Sequence, residues 1–182
     1  MSIIPITIYG DSILRKKVEP VKQIDDKIIA QVKSMFDTMR NASGIGLASN
    51  QVGIDNSIFV VDISPIEGCE DYKPVAMINP EIIDESDEII TMEEGCLSLP
   101  LLRADVDRPE KIRIKYLDVA EKELIVDADD LFARVIQHEY DHLIGKMIPD
   151  RVSPRARKKM QSELHKIMNR EVDIDYPITG KN

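Results

Sequence analysis

The sequence predicts an α+β fold, with antiparallel or mixed β-sheets packed around one central helix and a further helix at the C-terminal end. Three observations predict it. An amphipathic helical stretch comes early, several short β-branched segments follow with no helix between them, and two helical stretches close the chain. That order fits antiparallel pairing with segregated helices rather than alternating β-α units. A length of 182 residues with 43% hydrophobic content suffices for one compact core, so residues 1–182 are expected to form a single domain.

In chain order, Asp11 to Lys17 reads as a short helical turn. Asp25 to Asn41 reads as an amphipathic helix with Ile28, Val32, Met35, Phe36 and Met39 on one face. Ser57 to Ile63 is strongly β-branched and reads as a strand. Val75 to Ile83 is another, with a break at Asn79-Pro80, and Glu88 to Met92, Lys111 to Leu117 and Glu123 to Asp127 are three more. The central helix is expected over roughly 130–144. Asp129 or Asp130 can cap it, Leu131, Val135, His138 and His142 share one stripe, and Gly145 stands where a glycine ends a helix. A last helix over about 154–169 opens with Ser153-Pro154 in N-cap and N1 order and has Met160, Leu164, Ile167 and Met168 on its apolar face. The short tail, 170–182, contains Asp173 to Ile178, which reads equally as a terminal strand or as irregular chain.

The central helix carries His138-Glu139-Tyr140-Asp141-His142. Positions i and i+4 lie on one helical face about 5–6 Å apart, so both imidazoles reach a common cation. Glu139 is turned away from that line, where it reaches water at the metal without ligating the metal itself. The helix is therefore expected to bind metal for hydrolysis. A catalytic site needs a third protein ligand. A His-x-x-Gly-x-x-His continuation fails, because Ile148 holds the last position. Glu163 on the last helix would give a zinc endopeptidase, while His165 beside it reads as a solvated position. Cys96 lies in Glu93-Glu94-Gly95-Cys96-Leu97-Ser98-Leu99-Pro100, where glycine permits close backbone approach and proline stops a central strand. Its thiolate is a strong ligand for zinc or ferrous iron. Cys69, in an acidic turn-rich loop, reads as an incidental free thiol. A metal-stabilised binding module is a third possibility, but structural zinc normally takes four protein ligands and leaves no carboxylate idle beside it.

Three segments occur in order: Gly44-Ile45-Gly46-Leu47-Ala48-Ser49-Asn50-Gln51-Val52-Gly53, Glu94-Gly95-Cys96-Leu97-Ser98-Leu99-Pro100, and Gln137-His138-Glu139-Tyr140-Asp141-His142-Leu143-Ile144-Gly145. Together they resemble the three signatures of the peptide deformylase family, and the similarity runs from about Ile3 to Asn169. Ser49 and Leu99 depart slightly from the family pattern. The resemblance implies Cys96, His138 and His142 as metal ligands, with one Fe²⁺ per chain as the usual ion and Zn²⁺, Ni²⁺ or Co²⁺ compatible with the same donors. It implies that water activated at the metal attacks the formyl carbon of an N-formyl-methionyl peptide, releasing formate. Glu139 would act as general acid and base, and the Gln51 amide and Leu97 N–H would stabilise the oxyanion. Ile45, Leu131 and Val135 can line an apolar pocket for the methionine side chain. Gly44 and Gly46 either let an extended peptide lie alongside or simply form a turn after a helix. Arg103 is expected to close the pocket rim or bind the peptide backbone, and Arg108 to pair with Glu94 or Asp141.

The net charge of −9 argues against specific DNA binding. It is unevenly spread: residues 151–170 carry +6, leaving −15 elsewhere. The basic helix reads either as a solvated face or, given the family's work on emerging chains, as a ribosome-docking element held by phosphate contacts. No apolar run approaches the ~18–20 residues that span a membrane, and the first residues lack signal-peptide features, so a cytoplasmic, membrane-free protein is expected. A Cys69–Cys96 disulfide would consume the expected ligand.

Overall fold

The structure is a computed structural model that describes residues 2–180; Met1 and the last two residues of the tail, Lys181 and Asn182, lie outside the described residues. It is α+β. Helix α1 (Asp26–Asn41) is followed by β1 (Gly46–Ala48), β2 (Ile58–Val61) and β3 (Val75–Glu85). The hairpin β4 (Ile89–Cys96) and β5 (Leu99–Pro109) comes next, then β6 (Ile112–Leu117), β7 (Glu123–Ala128) and helix α2 (Asp130–Leu143). Two short helices, α3 (Pro154–Lys159) and α4 (Gln161–Met168), finish the chain, and 3-10 turns lie at Ser12–Arg15, Ser49–Val52 and Ile148–Asp150.

All pairing is antiparallel within two sheets: five strands ordered β1-β2-β3-β6-β7, and the separate β4-β5 hairpin. The Ile-Phe-Val-Val run of β2 is buried throughout because helices cover both of its faces. Phe59 and Val61 pack with Ala133 and Ile136 of α2, whereas Ile58 and Val60 pack with Val32, Met35 and Met39 of α1. Helix α2 is thereby pressed between the five-stranded sheet and the hairpin. A further apolar cluster joins Leu99, Leu102 and Val106 of β5 to Leu164 and Ile167 of α4.

Several expectations need correction. The Asn79-Pro80 pair does not end its strand: Asn79 takes φ +50° within a register shift, its side chain pairs with both backbone groups of Val21 at 2.8 Å, and β3 continues to Glu85. β5 is an eleven-residue strand that contains Pro100, tolerated because the register shifts there and the sheet has only two strands. After α1 the two readings of the glycine segment coexist, a turn at residues 42–43 and then the edge strand Gly46–Ala48, the form that strand addition uses. Asp129 holds the N-cap position of α2 but accepts no capping hydrogen bond. The basic helix is interrupted at Met160, whose N–H is shared between Ala156 and Arg157 carbonyls. Gly145, at φ +74°, ends α2 as expected and lies so close to the Arg15 carbonyl that a Cβ would meet it at 2.5 Å.

Candidate metal centre and its cleft

Helix geometry places His138 and His142 on one face of α2, with ring centroids 5.1 Å apart. Cys96 arrives from the end of β4, just before the two-residue turn Leu97-Ser98 that leads into β5. Its Sγ lies 3.2 Å from His142 Nε2. The three ligand atoms of Cys96, His138 and His142 all fall within 4.8 Å of one another. Glu163, the alternative third ligand, is exposed on α4 and outside this cluster, so the endopeptidase arrangement is not formed. Cys69 is a separate free thiol packed at the edge of the core.

Glu94 organises the ligands from behind. His138 Nδ1 lies 2.9 Å from Glu94 Oε2, which leaves Nε2 for a cation. Arg108 donates to both Glu94 oxygens at 2.6 and 3.0 Å and to Asp141 at 2.7 Å, while Arg134 adds a third cationic contact to Glu94 at 2.9 Å. Burial opposes the Glu94 charge, yet the hydrogen bonds from His138 and Arg108 hold its carboxyl well below the usual range. The two imidazoles diverge. Burial works against a charged His138, but Cys96 and Glu94 raise it well above the ordinary histidine value; burial and the charges of His138 and Arg108 push His142 well below it.

Glu139 is buried, and burial pushes its carboxyl up to about 7. Its Oε2 has no hydrogen-bond partner among the described residues, the kind of orphaned acceptor that water or a substrate proton satisfies. Gln51 is held on both sides: Oε1 accepts from the Ala48 N–H at 2.8 Å, and Nε2 lies 3.1 Å from Ser98 Oγ and 3.5 Å from Cys96 Sγ.

A cleft of about 650 Å³ opens onto these groups, lined by Ile45, Gly46, Leu97, Leu131, Val135 and Arg103 among others. The Asp62 N–H donates to the Ile45 carbonyl at 2.9 Å, so in antiparallel alternation the next residue, Gly46, turns its own N–H and C=O to the open edge of β1. Arg103 is exposed and folds across the hairpin over Gly95, so that a Cβ there would meet the guanidinium at 2.8 Å. Arg108 is buried and pairs with both expected partners.

A sequence model of the family described as Polypeptide deformylase matches residues 3–158. The chain belongs to the peptide deformylase family. A peptide deformylase of Chlorobium phaeobacteroides strain BS1 is 45% identical over 97% of this chain and 95% of its own length. The crystal structure of a peptide deformylase from Legionella pneumophila superposes with a TM-score of 0.84 at 34% identity, covering 93% of this chain and 97% of that one. That from Thermotoga maritima gives 0.79 at 38% identity, covering 85% of this chain and 100% of that one.

Within this deformylase fold, sequence reasoning missed three contributors. Arg134 stands four residues before His138 on the buried stripe of α2, and a charge in that position was the available signal. Asn50 donates to the His142 carbonyl at 2.6 Å. Tyr176 lines the cleft and donates to the Leu97 carbonyl at 2.8 Å; burial, then the Cys96 charge, pushes its phenol up to about 12, and nothing in the irregular tail announced it.

Proposed function

We propose that this chain is a single-domain metallo-hydrolase that removes the formyl group from the N-terminal formyl-methionine of nascent polypeptides. The observation that carries this reading is the convergence of Cys96, His138 and His142 beside a buried Glu139 that has an oxygen unpartnered among the described residues. Those three residues would hold the cation, ferrous iron in our reading, with Zn²⁺, Ni²⁺ and Co²⁺ suited to the same donors. A bound divalent cation supplies a Lewis acid that eases deprotonation of water and polarises the formyl oxygen.

The chain's own residues do the rest. Glu139 takes the proton from the attacking water and later delivers it to the amine as the formyl C–N bond breaks, and a carboxyl raised toward neutrality suits both transfers. The Gln51 amide and the Leu97 N–H face the oxyanion that develops on the formyl group. Gly46 offers its free edge to the peptide backbone as in strand addition, Ile45, Leu131 and Val135 receive the methionine side chain, and Arg103 closes the rim. Formate and a free amino terminus leave.

Nascent chains also give the basic helices a use. Helix α3 buries none of its residues and presents Arg155, Arg157, Lys158 and Lys159, a surface suited to ribosomal phosphates. No helix among the described residues is long and apolar enough to cross a membrane. A cytoplasmic site of action follows from the substrate.

An anaerobic assay of formate release from formyl-Met-Ala-Ser, with metal analysis of the same sample, tests the reading. Formate release by the wild type and loss of both activity and bound metal in Cys96→Ser are expected. A metal-loaded wild type that leaves the formyl group in place overturns it.

A further inference from the structure

Tyr176 belongs to the tail after α4, beyond the residues 3–158 that the family model matches. Its ring nevertheless lines the cleft, and its hydroxyl holds the Leu97 carbonyl at 2.8 Å. The tail is tied down on both sides of this residue. The Ile6 N–H donates to the Pro177 carbonyl and the Thr179 N–H to the Ile6 carbonyl, each at 2.9 Å, forming a parallel bridge between Ile6 and Ile178. Asp11 then accepts from the Thr179 hydroxyl at 2.6 Å and from the Arg170 guanidinium, which also reaches the Thr179 carbonyl.

The clasp aims Tyr176 at the two-residue turn of the hairpin, on the Leu97 side that the other contacts to the turn among the described residues leave free of a backbone hydrogen bond. Leu97 and Ser98 join β4 to β5, and the neighbouring Ser98 carbonyl is held by the Tyr9 N–H at 2.9 Å. Fixing the Leu97 carbonyl restrains that residue's ψ and the peptide plane it shares with Ser98, and so the turn that carries the N–H proposed above as an oxyanion donor. We propose that Tyr176, clasped to the body through Asp11, is a positioning residue for the reaction, acting through Leu97. The inference rests on the deformylase reading and adds the C-terminal tail to its working parts.

Tyr176→Phe in the full-length, metal-loaded protein keeps the ring and deletes one hydrogen bond. The expected result is a fall in kcat on formyl-Met-Ala-Ser of about 5–20-fold, within the range for a group that supports one oxyanion donor, with KM, metal content and Tm nearly unchanged. Amide exchange at residues 96–98 should quicken in the same variant. Thr179→Val, which loosens the clasp without touching the cleft, should lower kcat in the same direction, and it carries the test if Tyr176→Phe folds poorly. An active wild type whose variants keep kcat and exchange rates overturns the role of Tyr176 alone, as does an effect confined to KM. A wild type that releases no formate overturns the deformylase reading and this role together.

Discussion

Gly46 and Glu139 face each other so closely that a Cβ on the glycine would lie 2.3 Å from the carboxylate oxygen Oε1 and 2.9 Å from the carbon that bears it. The edge strand and the central helix therefore meet at the proton-handling group with no side chain between them. Gly46→Ala should displace Glu139, lowering kcat by roughly 10²-fold, while destabilising the protein by only about 1–3 kcal/mol. Steady-state kinetics with metal analysis check this, and a wild-type kcat would show that the helix yields without consequence.

Glu139 also lowers stability. Its folded pKa is raised from 4.5 to about 7, so the folded state holds a proton that the unfolded chain has already lost, and stability falls as pH rises across that window. Replacing it with Gln in the metal-free protein should add roughly 2–4 kcal/mol at pH 8 and little at pH 4, while abolishing most activity when metal is restored. Thermal melts at both pH values of apo wild type and apo Glu139→Gln make the comparison. Equal melting temperatures at pH 8 would mean that burial does not disfavour this carboxylate.

Glu94 has the opposite sign. Its folded pKa lies below the unfolded value, so its contribution is present above about pH 4.5 and is lost as pH falls toward the folded value. Glu94→Gln leaves the buried Arg134 without its carboxylate and takes from Arg108 one of two, so a loss of about 3–5 kcal/mol at neutral pH and a flatter acid limb are expected. Metal affinity should weaken about 10–100-fold as His138 loses its orienting partner. Urea melts between pH 3 and pH 7, together with competition for metal by a chelator, provide both readings.

Arg103→Ala should raise KM about 5–10-fold with metal content and Tm unchanged, the size of one charge-assisted hydrogen bond at an exposed rim. Full kinetic curves with formyl-Met-Ala-Ser decide it; an unaltered KM removes Arg103 from the substrate site.

Reversing Arg155, Lys158 and Lys159 to Glu should abolish co-sedimentation with ribosomes at low salt and leave formate release from a short peptide intact. Co-sedimentation that persists in the variant would make the basic helices an ordinary solvated face.

Much of this protein is local, and local features are legible in its sequence. The spacing of His138 and His142 follows from helical periodicity, the helix ends at Gly145 because φ there is positive, and α1 follows from its apolar stripe. The joining of Cys96 to that pair was implied by the resemblance of three segments, and in the structure its thiol lies beside them. Strand β5 was missed because Pro100 reads as a stop, although beyond it Leu102, Ala104 and Val106 alternate with Arg103, Asp105 and Asp107, the period-two pattern of a strand with one buried face. What the tertiary structure alone decided are contacts between residues far apart in the chain. Glu94 became the partner of His138, Arg108 and Arg134 only when the hairpin closed over α2, Gly46 met Glu139 only when β1 took the sheet edge, and Tyr176 reached Leu97 only through a tail tied at Asp11. Side-chain periodicity records which face of an element is apolar; it does not record which buried charge will answer another across the core, because that depends on how the elements pack.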